Sequence, residues 1–523
     1  MQEARPKKIL FLILHPGFLR FFDTTIPLLL DRGHTVHLAF TFVKKKAQGI
    51  EALGEPHERL IVDQEDFPGR TDGWRYFANT VRAACAYVRY LDDSYRGTSF
   101  LRDRIGDLLP PEAGFLKRWP YMPRFVARAV RRLFAGLERL IPTAANVDAY
   151  IRQVDPDLVL VSPLVDKSGQ AEIVKSAAAL GIPAGLCVGS WDHLTSKGLI
   201  HPQPDRIFLW NEAQKREAIE LHDVEPGRVV VTGAQPFDMW FDRKPALSRA
   251  EFCRKVGLPS DKPYVLFACS SPQINKPAAE VEFIKRWIAA LRRELEPRHR
   301  DIAILIRPHP TNFQHWVQAD AAQYPGAVIY PRYGANPVNN DDRADYFDAI
   351  YHSAAVVGIN TSAMVEAPIQ GKPVMTILAD DFGNQRETLH FRLLLPENGG
   401  CLEVADTFEQ HARQLDAILD DPASQAARLD GFVDSFLRPC GRDRPAVQVL
   451  VDCIERLAAL PRPATAAVPW FARPLSALLA GPVARAAERQ EAEERRAYEA
   501  KRRHKAQVKA EAAAATAPTL EQV

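Results

Sequence analysis

The sequence predicts an α/β protein with two doubly wound, parallel-sheet domains that face a cleft, a helical insertion in the first domain and a charged C-terminal tail. Three observations predict this fold: short continuous apolar runs, helix-like stretches between them, and a restart of the pattern after Phe241. Continuous rather than alternating apolar runs are typical of parallel strands buried on both faces. Two successive arrays of this kind in 523 residues indicate two domains of ordinary size.

The first array, which we place at residues 1–243, contains five apolar runs of strand length. They lie at residues 9–14, 158–161, 184–188, 207–210 and 229–231. The first run is short for a signal peptide and ends at His15-Pro16-Gly17 without a small-residue cleavage site, so it predicts a buried strand. The stretch at about residues 67–142 is mostly helix-like and predicts the insertion.

The second array, placed at residues 244–462, repeats the pattern after a joining segment, FDRKPALSRAEFCRKVGLPSDKP. Its strands are predicted at residues 264–269, 302–306, 328–330, 355–359 and 374–378, with helices at 278–295 and 345–353. Ligands of such arrays bind outside the carboxyl ends of the strands, so two facing domains create a cleft. Residues 463–523 are rich in Ala, Glu, Arg and Lys and predict a tail that is helical or disordered.

Composition argues against several classes of function. The net charge is +2, so global charge gives no reason to expect a nucleic-acid partner. The seven cysteines are dispersed, without a C-x-x-C pair or metal-ligand spacing, which favours a cytoplasmic protein and predicts no metal site. No run of about 18 apolar residues occurs, so no transmembrane helix is expected.

One helix of the insertion, at residues 124–139, is basic and amphipathic. The stretch from Lys117 to Arg139 carries seven basic residues and one acidic residue. Such a helix could lie on an anionic membrane, which would make the protein peripheral at the inner face of the cell membrane. We favour the alternative, in which its apolar face packs on its own domain, because every packed surface helix has such a face.

The first motif with chemical meaning is Arg307-Pro308-His309-Pro310, at the carboxyl end of a predicted second-domain strand. The two prolines fix φ and remove two backbone donors, which makes the turn rigid and fixes the direction of His309. Histidine and arginine can both donate hydrogen bonds to phosphate oxygens. Taken alone, the motif is explained equally well as an ordinary turn that contains a histidine.

The second motif, VVGINTSAMVEAPIQGKPVMTI, predicts a strand, a turn, a helix and a second strand. Asn360, Thr361 and Ser362 stand where the helix begins, where they either cap it or help its free N–H groups to bind phosphate. Glu366 lies one turn further along the same face, where a carboxylate is suited to accept hydrogen bonds from ribose hydroxyls. The two motifs together predict a site for a nucleotide-activated sugar.

The R-x-H-P turn followed by NTS-x-x-x-EA-x-x-x-GKPV resembles the carboxyl-terminal donor domain of GT-B-fold glycosyltransferases, especially bacterial surface-polysaccharide and CDP-glycerol glycerophosphotransferase-like enzymes. It is also similar to the UDP-N-acetylglucosamine 2-epimerases, which usually have Ser-Gly-Gly at the helix start. The resemblance covers about residues 7–460 and implies two Rossmann-like domains and transfer without a metal or cofactor. It further implies that His309 contacts donor phosphate and that Thr361, Ser362 and Glu366 hold phosphate and ribose.

Other loops at the same edges of the two domains add candidate residues. On the donor side they are Arg307, Ser270, Ser271, Asp380, Asp381 and Gln385, and on the acceptor side they are His15, Gly17, Arg20 and Lys197. In the Trp191-Asp192-His193 turn, a carboxylate and an imidazole are available to take the proton of an acceptor hydroxyl. Asp192 is our first choice as the base and His193 the second, with capping of the next segment as the structural alternative for Asp192.

These observations predict a glycosyltransferase that moves a sugar or sugar-like unit from a nucleotide-activated donor to an acceptor hydroxyl in bacterial surface glycan or glycolipid synthesis. The expected partners are a nucleotide-sugar donor and a glycan or lipid-linked acceptor. Two alternatives remain open: a nucleotide-sugar 2-epimerase, and a non-enzymatic, membrane-associated scaffold that binds glycans or nucleotides.

Overall fold

The computed structural model describes residues 5–45, 49–50, 53, 57–162, 169–271, 277–335, 340–379, 382, 385, 388–461, 464–465 and 468–515. In these residues thirteen strands form two sheets, and all neighbouring strands in each sheet are parallel. The strands are β1 (Lys8–Ile13), β2 (Thr35–Phe40), β3 (Leu60–Asp66), β4 (Leu158–Ser162), β5 (Ala184–Cys187), β6 (Arg206–Leu209), β7 (Val229–Val231), β8 (Tyr264–Ala268), β9 (Ala303–Arg307), β10 (Ala327–Ile329), β11 (Ala355–Gly358), β12 (Val374–Ile377) and β13 (Leu402–Ala405).

The helices between and after these strands vary from a single turn to the long C-terminal helix. They are α1 (Thr25–Asp31), α2 (Arg75–Arg89), α3 (Ser99–Gly106), α4 (Arg124–Glu138), α5 (Ala145–Val154), α6 (Gln170–Leu180), α7 (His193–Ser196), α8 (Glu212–His222), α9 (Asp238–Asp242), α10 (Arg249–Val256), α11 (Pro277–Glu294), α12 (Gln314–Val317), α13 (Asn340–Tyr351), α14 (Ala363–Glu366), α15 (Leu389–Arg392), α16 (Phe408–Asp420), α17 (Ala426–Phe432), α18 (Ala446–Ala458) and α19 (Arg473–Ala515).

The two sheets share one topology. The first has the order β3-β2-β1-β4-β5-β6-β7 and the second the order β10-β9-β8-β11-β12-β13. In both, the winding direction reverses beside the first strand of the domain, and ligands of doubly wound sheets bind at the carboxyl ends of the strands at this point. The predicted fold class, two doubly wound Rossmann-like domains with a cleft between them, is confirmed.

Continuous apolar runs identify the central strands because both faces of each sheet are covered. In β8, Val265 and Phe267 pack into one core cluster, while Leu266 and Ala268 pack into the cluster on the opposite face. Every residue of this strand is buried. A strand in this position therefore tolerates no polar alternation.

Three strands, β2, β3 and β13, are absent from the sequence prediction. A histidine, His37, interrupts the apolar run of β2 and donates its Nε2–H to the carboxylate of Asp63 at 2.8 Å. β3 is the edge strand of the first sheet, and its sequence LIVDQED is mostly polar because much of it is solvent-accessible. β13 is the edge strand of the second sheet and has only four residues.

The helical insertion is present where it is predicted, but α4 packs differently from the expectation we favoured. Val130 and Phe134 do pack on the core of the insertion. Phe125 and Leu133, however, are 75% and 70% exposed. The side of α4 that faces the domain is largely charged, because Arg131 is buried and pairs with Asp223 at 2.7 Å.

The C-terminal segments return to the first domain. The sequence prediction assigns residues 446–458, which form α18, to the second domain. In the structure, Leu450 and Ile454 of this helix instead pack in the hydrophobic core of the first sheet. Asp238 anchors this return, since its carboxylate accepts the backbone N–H groups of Ala446 and Val447 at 3.0 and 2.6 Å.

The tail beyond α18 is helical over α19, and it is not entirely solvated. Val483 packs against Trp74 and Ile141 of the insertion region.

No helix in the described part of the chain has the length and hydropathy of a membrane span. Six of the seven cysteines are buried, and Cys440 is exposed.

Candidate functional site

A cavity of about 340 Å³ lies between the two domains, which we call the interdomain cavity. The first domain contributes Arg20, Phe21, Asp23, Ser190 and Trp191, among others, to its lining. The second domain contributes the turn after β9 and the start of α14. Four arginines and two carboxylates line the cavity, so its charge favours an anionic ligand.

Arg307 is the last residue of β9, and its side chain lines the interdomain cavity. The residue is only 5% exposed, yet neither Nη1 nor Nη2 has a hydrogen-bond partner in the described part of the chain. Its guanidinium carbon lies 5.1 Å from the ring centroid of Tyr346. Burial lowers the pKa of Arg307 from its usual value. A buried guanidinium with two free nitrogens is a preformed site for an anion.

His309 also lines the cavity, and its Nδ1 accepts the backbone N–H of Thr311 at 3.2 Å. Burial and the nearby Arg20 lower the pKa of His309 to about 4, so the ring is neutral at pH 7. Because Nδ1 accepts, the proton of the neutral ring is on Nε2. The local turn thus fixes both the tautomer and the donor atom of this imidazole.

Glu366 also lines the interdomain cavity, and its carboxylate accepts a hydrogen bond from the hydroxyl of Tyr346. Burial raises the pKa of Glu366 to about 7, although Tyr346, Arg20 and Arg307 act in the opposite direction. Thr361 and Ser362 line the cavity beside it. Gly358, at the end of β11, allows this approach, because a Cβ there would lie 2.9 Å from Cγ2 of Thr361.

Four other donor-side candidates do not line the interdomain cavity. Asn360 is buried, with its Nδ2 3.4 Å from Nε2 of His390. Ser270 is fully buried, and its backbone N–H is bound by Glu280. Gln385 is buried and donates to the carbonyl of Ile359. Ser271 is partly exposed beside this site, and Asp380 and Asp381 lie outside the described residues.

Of the acceptor-side candidates, Arg20 lines the interdomain cavity, and His15, Gly17 and Lys197 do not. Arg20 lines the cavity at the end of a short helical turn, Pro16–Phe21. His15 is buried against Phe18, and neither it nor Gly17 lines the cavity. Lys197 lies behind the cavity, with its Nζ 4.0 Å from Oδ2 of Asp192.

The two base candidates are adjacent to the cavity but not in its lining. Asp192 accepts the hydroxyls of Ser190 and Ser196 at 2.6 and 2.8 Å, so both of its oxygens are engaged. Burial would raise the pKa of Asp192, but His193 and Lys197 outweigh burial and hold the pKa below its usual range.

His193 is 3% exposed, and none of the described residues forms a hydrogen bond with its Nδ1. Its ring lies 6.2 Å from the ring of Phe21, which lines the cavity. Burial lowers the pKa of His193 to about 4. The ring is therefore neutral at pH 7 and has a nitrogen that can accept a proton, whereas both oxygens of Asp192 already accept hydrogen bonds.

Several residues that line the interdomain cavity lie outside the two sequence motifs and were not predicted from them. Asp23 and Arg343 form an ion pair of 2.7 Å across the domain boundary, although 320 positions separate them. Tyr346 and Trp240 pack edge to face, with centroids 5.6 Å apart. The sequence offers only one sign of Tyr346, its place in a predicted helix before the second motif.

The described residues include no group of three or more His, Cys, Asp or Glu side chains that could hold a metal ion. The groups that can bind a ligand in the interdomain cavity are arginines, one neutral histidine, hydroxyls and carboxylates. Together with six aromatic side chains, this lining suits a ligand that combines phosphate, hydroxyl groups and a flat ring.

No protein-family model and no curated protein matches this sequence. Among solved structures, the UDP-GlcNAc 2-epimerase of Methanocaldococcus jannaschii is 11% identical with a TM-score of 0.48, covering 86% of this chain and 99% of that one. A glycosyltransferase of Rickettsia africae is 12% identical with a TM-score of 0.47, covering 87% and 99%. UGT89C1 of Arabidopsis thaliana is 13% identical with a TM-score of 0.47, covering 87% and 100%. At these identities and TM-scores, the likenesses say nothing about the substrates of this chain.

Proposed function

We propose that this protein is a GT-B glycosyltransferase that moves a sugar or sugar-like unit from a nucleotide-activated donor to an acceptor hydroxyl. The observation that carries the proposal is the buried Arg307, with two unpartnered nitrogens in a cavity rich in arginines. A buried charge without partners is costly unless a ligand completes its hydrogen bonds. The planar fork of a guanidinium matches two oxygens of a phosphate group.

The donor would lie along the second-domain wall of the interdomain cavity. Arg307 and Nε2–H of His309 would bind its phosphates and stabilise the negative charge that develops on the leaving nucleotide. Glu366 would accept the ribose hydroxyls, as a carboxylate in a mostly cationic cavity is suited to do. In this proposal the arginines and the histidine perform the role that a metal ion has in other transferases, and no cofactor takes part.

The acceptor would enter from the first domain, and His193 is the base that we propose for its hydroxyl. Its unpartnered Nδ1 and neutral ring support this role. Asp192, bound by two serine hydroxyls, would position the loop instead. Closure of the domains would exclude the water that otherwise hydrolyses the donor.

A thermal-shift panel of UDP, CMP, CDP, GDP and TDP tests the donor site. One nucleotide should stabilise the wild-type protein, by about 2.7 kcal/mol at one hundred times its Kd. Arg307→Met should lose this stabilisation, whereas Arg300→Met, an exposed arginine before the same strand, should keep it. The proposal is wrong if no nucleotide stabilises the protein, or if Arg307→Met responds like the wild type.

Turnover experiments separate the proposed transfer from its alternatives. With UDP-N-acetylglucosamine and no acceptor, slow release of the nucleotide supports a transferase, and an isomeric nucleotide sugar supports the epimerase. A complete lack of turnover over a panel of donors supports the scaffold.

His193→Gln should reduce turnover at least tenfold and leave nucleotide affinity within twofold, as expected for a base that contributes to the chemical step. Equal losses of affinity and turnover would contradict this role.

A further inference from the structure

A second cavity of about 340 Å³ lies within the first domain, under the helical insertion, and we call it the insertion cavity. It shares no lining residue with the interdomain cavity. Helix α2 and the loop after α3 cover one side of it, and the ends of β4 and β5 and the start of α6 form the other. Much of the wall is aliphatic, formed by Ile105, Leu108, Val161, Val174, Leu186 and Ile200.

One end of the insertion cavity is a buried network of ion pairs. Arg82 donates Nε and Nη2 to the carboxylate of Glu138 at 3.1 and 2.7 Å, and Nη1 to Oε1 of Glu172 at 2.5 Å. Lys175 reaches the same Glu138 at 3.2 Å. These contacts fix the carboxylate of Glu172 at the cavity wall.

Nε of Arg70 is held by Asp72 at 3.1 Å, but two other atoms of this network have no hydrogen-bond partner among the described residues. They are Nη1 of Arg70 and Oε2 of Glu172, and both residues line the cavity and are 5% exposed. Nη1 of Arg70 lies 3.7 Å from Oε1 of Glu172, so the free donor and the free acceptor are neighbours. Buried polar atoms in native proteins are almost always satisfied, so this pair indicates a ligand or bound water.

The charge of the network selects among ligands. Arg70, Arg82 and Lys175 contact Asp72, Glu138 and Glu172, and Arg75, which also lines the cavity, pairs with Glu491 at 3.9 Å, so four cations meet four anions. This balance gives no excess positive charge for a phosphate or carboxylate, in contrast to the interdomain cavity. A hydroxyl group fits better, because it accepts from a guanidinium and donates to a carboxylate oxygen.

His201 adds a further polar atom to the lining, since its Nε2 has no hydrogen-bond partner within the ranges that the structure describes. Burial lowers the pKa of His201, so its ring is neutral near pH 7. A neutral imidazole is likewise suited to a hydroxyl group, and it adds no charge to the cavity.

We propose that the insertion cavity binds an uncharged amphiphile, with its hydroxyl groups on Arg70 and Glu172 and its aliphatic part against Val174 and Leu186. The cavity volume is at the lower end of the range for small-molecule sites. A neutral glycolipid or an alkyl-linked sugar has this chemistry.

The loop from 190 to 204 connects the two cavities. Ser190 and Trp191 line the interdomain cavity, and Leu199, Ile200 and His201 line the insertion cavity. In this proposal the amphiphile is the sugar acceptor, because one loop lines both cavities. That identification rests on the proposed function, whereas the binding site itself does not.

Isothermal titration calorimetry with octyl β-D-glucoside and octyl phosphate, both below micelle formation, tests the proposal on the full-length protein. The wild type should bind one glucoside per chain, at least tenfold more tightly than the phosphate. Val174→Trp, which fills the cavity, should weaken glucoside binding at least tenfold. Ile61→Trp, on the exposed edge strand β3, should leave it unchanged.

Equal binding of the two octyl compounds, or no glucoside binding, would overturn the proposal. So would glucoside binding that persists in a folded Val174→Trp protein. If that variant does not fold, Ala83→Leu replaces it, since Ala83 lies on α2 in the same lining and is only partly buried. The nucleotide panel is independent of this result: a protein that binds glucoside but no nucleotide retains the insertion site and loses the proposed transfer.

Discussion

Glu366 is the cavity residue whose charge changes near neutral pH. Burial raises the pKa of its carboxyl to about 7 from an ordinary value of 4.5. The folded protein therefore holds a proton that the unfolded chain releases, and the stability it contributes is present below pH 4.5 and lost as pH rises through about 7.

Wild-type protein should consequently lose stability relative to Glu366→Gln between pH 4.5 and pH 8, by on the order of 2 kcal/mol. Urea unfolding of the unliganded proteins across this range measures the difference. Glu397→Gln, on an exposed turn, is the matched control and should follow the wild type. Parallel stability profiles for Glu366→Gln and wild type would contradict the raised pKa.

Single residues could be predicted from the sequence where a short motif fixes their surroundings. The R-P-H-P turn fixes its own geometry, and Arg307 and His309 indeed line the cavity. Ser270 and Gln385 follow the correct strands, but their side chains are buried in the domain. A strand end gives the position of a residue at the edge of a sheet, and packing with distant segments decides where its side chain points.

At the scale of elements, α4 has an unusual division of its side chains. Arg131 is buried and pairs with Asp223 at 2.7 Å, and the more exposed Arg124 pairs with Glu220 at 2.5 Å. Phe125 and Leu133 face solvent instead. Arg124 and Arg131 are already paired with carboxylates of the protein. Any contact of this helix with a membrane would therefore use its exposed apolar side chains.

The double variant Phe125→Ser/Leu133→Ser should reduce flotation with anionic liposomes several-fold, because it removes apolar surface that would enter the lipid interface. Ile61→Ser, on an edge strand with 40% of its surface exposed, should float like the wild type. A wild-type protein that does not float, or a double variant that floats equally well, would rule out this contact.

Elements were predictable where burial imposes a regular pattern. The central strands are covered on both faces, so their sequences are continuously apolar. Strands β3 and β13 lie at the edges of their sheets, where part of each strand meets solvent and the pattern is lost. The ion pairs of Arg124 and Arg128 on α4 could not be predicted from the sequence. Their partners, Glu220 on α8 and Asp223 directly after it, lie more than 90 positions away.

At the scale of the whole molecule, the pair Asp23–Arg343 joins the domains beside the interdomain cavity. The two side chains are 7% and 16% exposed. Burial raises the pKa of Asp23 even though Arg343 opposes the rise, so the pair depends on both partners being present.

Arg343→Met should destabilise the protein by about 3 kcal/mol, because it leaves a mostly buried carboxylate unpaired. The double variant Asp23→Asn/Arg343→Met should recover most of this loss in urea unfolding. Arg298→Met, which breaks an exposed pair with Asp420, should leave the free energy of unfolding close to that of the wild type. Strictly additive effects of the two single substitutions would show that the domains are not coupled through this pair.

Local patterns in the amino-acid sequence predict the two doubly wound domains, the helical insertion and the second-domain wall that contains Arg307, His309 and Glu366. These features depend on patterns within a few tens of residues, where strand burial and turn chemistry act locally. The packing of α18 on the first domain, the Asp23–Arg343 pair and the neighbouring polar atoms of Arg70 and Glu172 follow from tertiary contacts alone. Each of these depends on contacts between segments far apart in the chain, and a short-range pattern contains no information about such distances.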